Sequence, residues 1–351
     1  MELIKPGINL NFVGMRYKAF LASVVVLLIG LAAFYLKGLN MGVDFAGGTL
    51  LQVKFSQPTN PDAIREALKE EAANSTIQQV GSKENNEYLI RTDAMPSELQ
   101  ALSQKFDRDL AKAFGEGKAT VLRVEMVGPK VGEDLRQKAL KAMYYALLFI
   151  AIYISGRFEF KWVTSAVMGG VLMVGIYFME ALQTNVTYLV VAALCVTLVL
   201  CWILKLPYAL GALVSLVHDI LITIGIFIIF DKEFTIEVFA ALLTLAGYSL
   251  NDTIIVYDRI RENRNKDRKQ KFDVMVNDAI NQTLSRTLLT STCVLFVLLC
   301  LFFLGGAVIH DFTFAMLIGI ITGTYSSVFV ASPILIIYED LTKKGLKPKR
   351  A

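Results

Sequence analysis

Apolar residues fall in long, almost unbroken runs along most of this chain, while polar residues gather in one block between about residues 40 and 138. Eight runs have roughly the 20 residues that a helix needs to cross a hydrocarbon core. They predict spanning helices at about 17–37, 138–156, 160–180, 185–205, 208–230, 236–258, 284–304 and 312–338. Lys138 and Lys141 stand at the start of the second.

The polar block has a different rhythm. "TLLQVKF" (49–55) is a β-rich run, and "NPDAIREALKEEA" (60–72) opens a helix with Asn60 as N-cap and Pro61 at the first helical position. "STIQQVG" and "EYLIRTD" read as two strands around the polar turn Lys83–Glu84–Asn85–Asn86. Leu99, Leu102, Phe106, Leu110 and Phe114 form a helical stripe within 96–115, and "ATVLRVEMVG" closes the block with a strand. The order β-α-β-β-α-β predicts a ferredoxin-like α+β domain. That fold names no function by itself.

Composition agrees with a polytopic helical membrane protein carrying one soluble domain. The chain of 351 residues is 55% hydrophobic and 19% charged, against about 45–50% and roughly 25% in soluble domains. The net charge of +4 matters less than where it lies. With the N-terminus inside, segments 1–16, 157–161, 205–207, 259–283 and 339–351 are cytoplasmic. The inside loop 259–271 alone holds Arg259, Arg261, Arg264, Lys266, Arg268, Lys269 and Lys271, whereas the short outside loops hold only Lys232. This bias places both termini in the cytoplasm and the soluble domain outside. The first span reads as a retained anchor, since no small-residue cleavage site follows it. Cys195, Cys201, Cys293 and Cys300 all lie in apolar runs and read as packing residues.

Polar residues inside the predicted spans carry the candidate chemistry. Asp252 lies in the sixth, and Thr244, Tyr248, Ser249 and Asn251 share its broad side. Leu243, Leu250 and Ile254 lie opposite, so the polar side is expected to face protein and the apolar side lipid. Antiparallel helices place Arg286, near the start of the seventh span, at a similar depth to Asp252. Two readings stand: a fixed salt bridge or snorkelling arginine, or a protonatable switch that pairs when Asp252 is ionised and releases when it is protonated. His218 and Asp219, in the fifth span, suit either a proton relay or a polar contact between helices; Gly211, Ser215, Asp219 and Thr223 recur there at i+4. Ala315, Gly319, Gly323, Ser327 and Ala331 give the eighth span a small-residue stripe for close helix packing. Asp258, Arg259 and Arg261 are expected to anchor a helix end at the membrane edge. No Walker loop, His/Cys metal cluster or G-x-S-x-G elbow occurs, so the sequence offers no ATP site, no cofactor site and no enzyme nucleophile.

"GVDFAGGTL" (42–50), with Gly42, Asp44, Gly47 and Gly48, resembles the Gly-Gly signature of the SecD/SecF family. "HDILITIGIF" (218–227), "AGYSLNDTIIVYDRIREN" (246–263) and "LSRTLLTS" (284–291) look like the SecF-type segments of that family, in the same order. The resemblance implies an RND-like helix bundle, pairing with SecD, and a place beside the SecYEG translocon. It further implies use of the proton motive force to pull unfolded preprotein outward across the lipid bilayer, with no nucleic acid involved. The family's membrane Asp and Arg fall on Asp252 and Arg286, both implicated in proton passage, and Asp219 matches an "HD" pair.

One departure is large. The resemblance implies six helices in a family member of usual size, whereas residues 161–206 here read as an inserted helical pair. The resulting division is 1–37 for the N-terminal segment and first helix, 38–137 for the extracytoplasmic domain and 138–160 for the second helix. The inserted pair is 161–206, the last four helices 207–338 and a basic tail 339–351. Because the pair's interior positions are nearly all apolar, a peripheral, lipid-facing place is expected, dispensable for partner binding. Two rival functions remain at this level: an RND-like exporter of small molecules or lipids, and a non-transporting scaffold for SecD.

Overall fold

The computed structural model describes residues 9–68, 75–80, 86–92, 99–181 and 184–345. Within them stand eight helices long and apolar enough to cross a membrane. The first, α1 (Phe12–Lys37), starts on Asn11, whose side chain accepts from Gly14 N, and stops at Gly38 with φ +75°. One turn, α2 (Val43–Ala46), leads into β1 (Gly48–Phe55), α3 (Pro61–Ala67), β2 (Thr76–Val80), β3 (Glu87–Thr92), α4 (Leu99–Phe114) and β4 (Ala119–Val127). The strands form one antiparallel sheet in the order β2-β3-β1-β4, as the split β-α-β motif requires. Alternation in β1 buries Leu51, Val53 and Phe55 against Ile64 of α3 and Phe106 and Leu110 of α4. Asn60 caps α3 by accepting from Asp62 N. The turn residues Lys83–Asn85, the side chains of Leu99 and Leu102, and segments 1–8 and 346–351 lie outside the described residues.

The bundle follows. α5 (Pro129–Ile154) continues through a π-helical turn, Ser155–Glu159, and is followed by α6 (Trp162–Ala181), α7 (Val186–Ile203), α8 (Pro207–Ile229), α9 (Ile236–Lys266) and α10 (Phe272–Leu304). α11 (Ala307–Ser326) passes through a second π-helical turn, Ser327–Ala331, into α12 (Ser332–Gly345). Three boundaries correct the hydropathy reading. α5 begins at Pro129 rather than 138, α9 runs to Lys266 rather than 258, and α10 begins at Phe272 rather than 284. The added turns are polar, and hydropathy registers only the stretch that meets lipid. The soluble domain therefore ends before Pro129, and little of 259–271 is loop.

α8 is buried on nearly all sides, while α1 buries only Val13 and Ser23. α1 crosses α8 where Gly30 meets Gly225: a Cβ added to Gly225 would lie 3.0 Å from Gly30 Cα. The α6–α7 pair packs on α5 through Tyr144, Leu148, Ile176 and Ala193. A buried Tyr144–Thr197 hydrogen bond (3.1 Å) and a Lys141–Glu180 ion pair (2.7 Å) fix it there. Its outer positions, among them Val163, Val171 and Tyr188, are exposed. At its base, Glu159 Oε1 accepts from Tyr208 N at 2.8 Å, capping α8, and Lys161 Nζ donates to the carbonyls of Leu204 and Lys205. Asp258 and Arg261 do more than anchor a helix end. Asp258 pairs with Arg157 of the π-helical turn at 2.6 Å, and Arg261 donates to the Arg157 carbonyl.

The Gly-Gly segment laces the soluble domain to this bundle. Gly42 N donates to Phe234 O (3.0 Å) and Phe234 N to Asn40 O (2.7 Å). A Cβ at Gly42 would come within 2.9 Å of the Thr235 side chain. Asp44 Oδ2 accepts from Ile236 N at 3.0 Å, meeting one of the free donors at the start of α9. Gly47 turns the chain at φ +79°, with Pro129 Cα 2.9 Å from where a Cβ would stand, and Gly48 follows at φ +122°. Arg91 of β3 donates to Met41 O. Beneath the sheet, buried Glu233 faces a cavity of about 100 Å³ lined also by Asp44, Glu125, Glu237 and Asp311. Burial holds its carboxyl above the ordinary range, against the pull of Arg91 and with the push of Asp311, Asp231 and Asp44.

Two outcomes follow for this junction. Gly47→Ala is expected to lower stability by about 1–3 kcal/mol from backbone strain and overpacking. Gly117→Ala, at φ +73° with nothing within 4 Å, should feel only the backbone part; thermal unfolding of the two variants in detergent compares them. A carboxyl raised by seating stabilises the seated junction fully below its unseated value, and that support is lost as pH rises through the raised value. Amide exchange over 40–48 and 231–238, corrected for intrinsic rates, should therefore speed up with rising pH in the wild type and flatten in Glu233→Gln.

Candidate functional site in the membrane core

α8 brings His218 and Asp219 to the centre of the bundle, both buried. Asp219 Oδ1 lies 2.9 Å from His218 Nδ1. Its Oδ2 accepts from Ser249 of α9 at 2.6 Å and from Ser326 of α11 at 2.7 Å. On the far side, His218 Nε2 lies 3.1 Å from Ser23 Oγ of α1, and Ser23 Oγ is 3.0 Å from the Tyr325 hydroxyl. Tyr325 in turn donates to Ala19 O at 2.7 Å. One carboxylate thus gathers donors from three helices and, through His218, reaches a fourth.

Asp252 sits on the same face of α9 as Ser249, one turn further along. Its Oδ2 accepts from Ser291 of α10 (3.2 Å) and Thr324 of α11 (3.3 Å), whose hydroxyls are 2.7 Å apart. A cavity of about 40 Å³ opens beside it, lined by Asn251, Asp252, Thr290 and Ser249 among others. That volume exceeds the roughly 10–15 Å³ a single water needs. Ser249 therefore touches both carboxylate environments, which the sequence presents as separate sites.

Small residues permit this closeness. A Cβ at Gly319 would come 2.4 Å from Leu245, and one at Gly323 would come 3.0 Å from Ser249 Cβ. So α11 lies directly against the turn of α9 that holds Ser249. Ser327 is buried in the π-helical turn and donates to Thr324 O (2.9 Å); its neighbour Ser326 is the residue that reaches Asp219.

The arrangement here holds Asp252 and Arg286 apart: the partners of Asp252 are hydroxyls, and Arg286 is exposed, one turn before Thr290, whose hydroxyl donates to the Arg286 carbonyl. Similar depth fixes height along two helices but leaves the direction around each axis open, and the arginine stem turns outward. The polar side of α9 also divides. Ser249 and Asp252 turn inward, whereas Thr244, Tyr248 and Asn251 are exposed and Leu250 is buried at 8% exposure. An arc this wide exceeds what the neighbours within this chain cover. Ser23, Ser291, Thr324, Tyr325 and Ser326 escaped the sequence reading; their only signal was a hydroxyl in an apolar run. Among the described residues, no group of three or more His, Cys, Asp or Glu side chains is placed to hold a metal ion.

Comparison with known proteins follows the same lines. The family model described as "Protein export membrane protein SecD/SecF, C-terminal" matches residues 107–196 and 169–341, two segments that overlap inside the α6–α7 pair. The SecD/SecF GG motif matches residues 32–59. Protein translocase subunit SecF from Magnetococcus marinus is 38% identical over 355 aligned positions, covering 100% of this chain and 99% of the relative. The SecF subunit of Calditerrivibrio nitroreducens is 37% identical, covering 98% and 99%. Among solved structures, SecDF from Thermus thermophilus, described as a translocon-associated membrane protein, superposes with a TM-score of 0.70 at 30% identity. That match covers 97% of this chain and 40% of the SecDF chain. With eight membrane-crossing helices, the Gly-Gly junction and full-length similarity to SecF subunits, this chain belongs to the SecD/SecF family of protein-export membrane proteins, on its SecF branch.

Proposed function

We propose that this subunit pairs with SecD beside the SecYEG translocon and helps draw unfolded preprotein outward, driven by protons passing Asp252. One observation carries the reading: α9 holds Asp252 and Ser249 in its middle and is capped at its outer end by Asp44, in the segment that bears the soluble domain. A change of charge at Asp252 alters its hold on Ser291 and Thr324, and so the seating of α9 against α10 and α11. A helix is stiff enough to carry that shift to Asp44 and on to β1. One charge moved across 100 mV supplies about 2.3 kcal/mol, comparable with a few interhelical hydrogen bonds at roughly 0.6–2 kcal/mol each.

Arg286 belongs to a second arrangement. It lies one turn from Thr290, which lines the cavity beside Asp252, and in that arrangement it turns toward an ionised Asp252. The exposed arc of Thr244, Tyr248 and Asn251 is polar surface at membrane depth, and such surface turns to protein or water rather than lipid. SecD is the occupant proposed for it. The basic extension of α9 supports an orientation with both termini inside and the soluble domain outside. The α6–α7 pair, on the side of α5, stands apart from this route.

Asp252→Asn is expected to keep the fold and co-purification with SecD while losing the stimulation of preprotein export by an imposed proton gradient in vesicles. Normal gradient-driven export by this variant would leave Asp252 a structural residue and the subunit a scaffold. In a cysteine-free background, Asp62→Cys should react with an impermeant thiol reagent in intact spheroplasts and Lys266→Cys only after lysis; both side chains are well exposed, at 77% and 64%. The reverse pattern would invert the topology.

A further inference from the structure

The hydrogen-bond geometry around α8 points to one proton shared by His218 and Asp219, beyond what a neutral imidazole and an ionised carboxylate carry between them. The chain runs Ala19 O, Tyr325 hydroxyl, Ser23 hydroxyl, His218 Nε2, His218 Nδ1, Asp219 Oδ1. It has four links: 2.7 Å from Tyr325 to Ala19 O, 3.0 Å from Tyr325 to Ser23, 3.1 Å from Ser23 to Nε2, and 2.9 Å from Nδ1 to Oδ1. Each link needs a hydrogen. Tyr325 and Ser23 supply one each, and a neutral imidazole supplies one. That leaves one link of the four without a hydrogen.

Direction makes the shortage specific. Ala19 O is a carbonyl and only accepts, so the Tyr325 hydrogen is committed to it. The link between Tyr325 and Ser23 then takes the Ser23 hydrogen, and Ser23 has none left for His218. His218 must therefore donate through Nε2. With Nε2 carrying a hydrogen, the contact between Nδ1 and Oδ1 needs another, held on either atom. Imidazolium with carboxylate satisfies it, and so does Nε2–H imidazole with a protonated carboxyl. In both, the pair is neutral overall, which suits two side chains exposed at 6% and 1% in an apolar bundle.

The link itself fixes the place of the proton. Asp219 Oδ2 receives the Ser249 hydrogen and lies 2.7 Å from Ser326 Oγ, which also has Gly323 O within 3.2 Å. The proton that completes the contact between Nδ1 and Oδ1 sits on one of those two atoms, 2.9 Å apart. The shared proton also has a mechanical role. Ala19 and Ser23 are on α1, Tyr325 is on α11 and His218 is on α8, so the complete chain ties α1 to the bundle core. Removing the proton takes one link away and loosens α1, whose outer end leads through residues 38–42 to the soluble domain. This extends the relay proposed above and rests on it for the meaning of that loosening, although the protonation state is measured without transport.

The chain has two histidines, His218 and His310, which makes the measurement direct. The full-length protein labelled with ¹⁵N-histidine, in lipid nanodiscs at neutral pH, gives two sets of ring signals, and the His310→Gln variant assigns them. Infrared spectra of wild type and Asp219→Asn report whether the carboxyl is protonated. Either both ring nitrogens protonated with an ionised Asp219, or an Nε2–H ring with a protonated Asp219, is the expected result. A singly protonated ring beside an ionised Asp219 overturns the assignment, whether or not Asp252→Asn abolishes gradient-driven export. Ser23→Ala removes the acceptor that commits His218 to donate through Nε2. It should release the extra proton and leave a singly protonated Nδ1–H ring beside an ionised Asp219, read from the ring signals and the carboxyl band together, and unchanged ring and carboxyl signals in a folded Ser23→Ala protein count against the shared proton.

Discussion

A carboxylate in the apolar core of a helix bundle must be surrounded by donors, and Asp219 takes its donors from α8, α9 and α11 at once. That requirement organises the bundle. α11 approaches α9 closely enough for Ser249 and Ser326 to meet one oxygen because Gly319 and Gly323 leave no side chain in the way. α1, otherwise a peripheral helix, gains a polar contact through Ser23. The stripe of small residues and the acidic residue are therefore two sides of one arrangement: the first permits a close approach whose purpose is to satisfy the second. The buried hydroxyls cost little in lipid as long as their partners stay in place.

α9 connects the membrane interior with the soluble domain. Its middle touches both carboxylate environments through Ser249 and Asp252, and its first turn is capped by Asp44 from outside the bundle. At its other end, Asp258 and Arg261 hold the π-helical turn of α5 through Arg157. Gly42 and Gly47 have steric reasons of their own: each stands where a Cβ would meet Thr235 or the backbone of Pro129. The Gly-Gly motif thus lets three chain segments converge under the sheet.

Much of this was legible from the sequence, for reasons that also mark where legibility ends. Apolar runs revealed every spanning helix, since lipid demands them, but the polar turns beyond the membrane at Pro129, Lys266 and Phe272 carry no such demand. The order of elements in the soluble domain followed from alternation in β1 and the apolar stripe of α4. Asp219 and Asp252 stood out because a carboxylate in an apolar run is costly. Their partners did not, because Ser23, Ser291, Thr324 and Ser326 are unremarkable in their own helices and become significant only once the helices are side by side. The Asp252–Arg286 contact is absent from this arrangement for a related reason: sequence spacing gives depth, whereas a side chain's direction around its helix depends on which neighbour is beside it.

The cap that Glu159 places on Tyr208 has a consequence for how α6 and α7 are held. Residues 159 and 208 are far apart along the chain and in contact in space, so α6 and α7 leave the bundle and return to it at one point. A stretch of chain whose entrance and exit coincide is clamped at its neck, by Lys161 on the carbonyls of Leu204 and Lys205 as well as by Glu159. The contact that closes a helix start thus doubles as a clasp, holding both ends of the pair together while its outer face stays exposed.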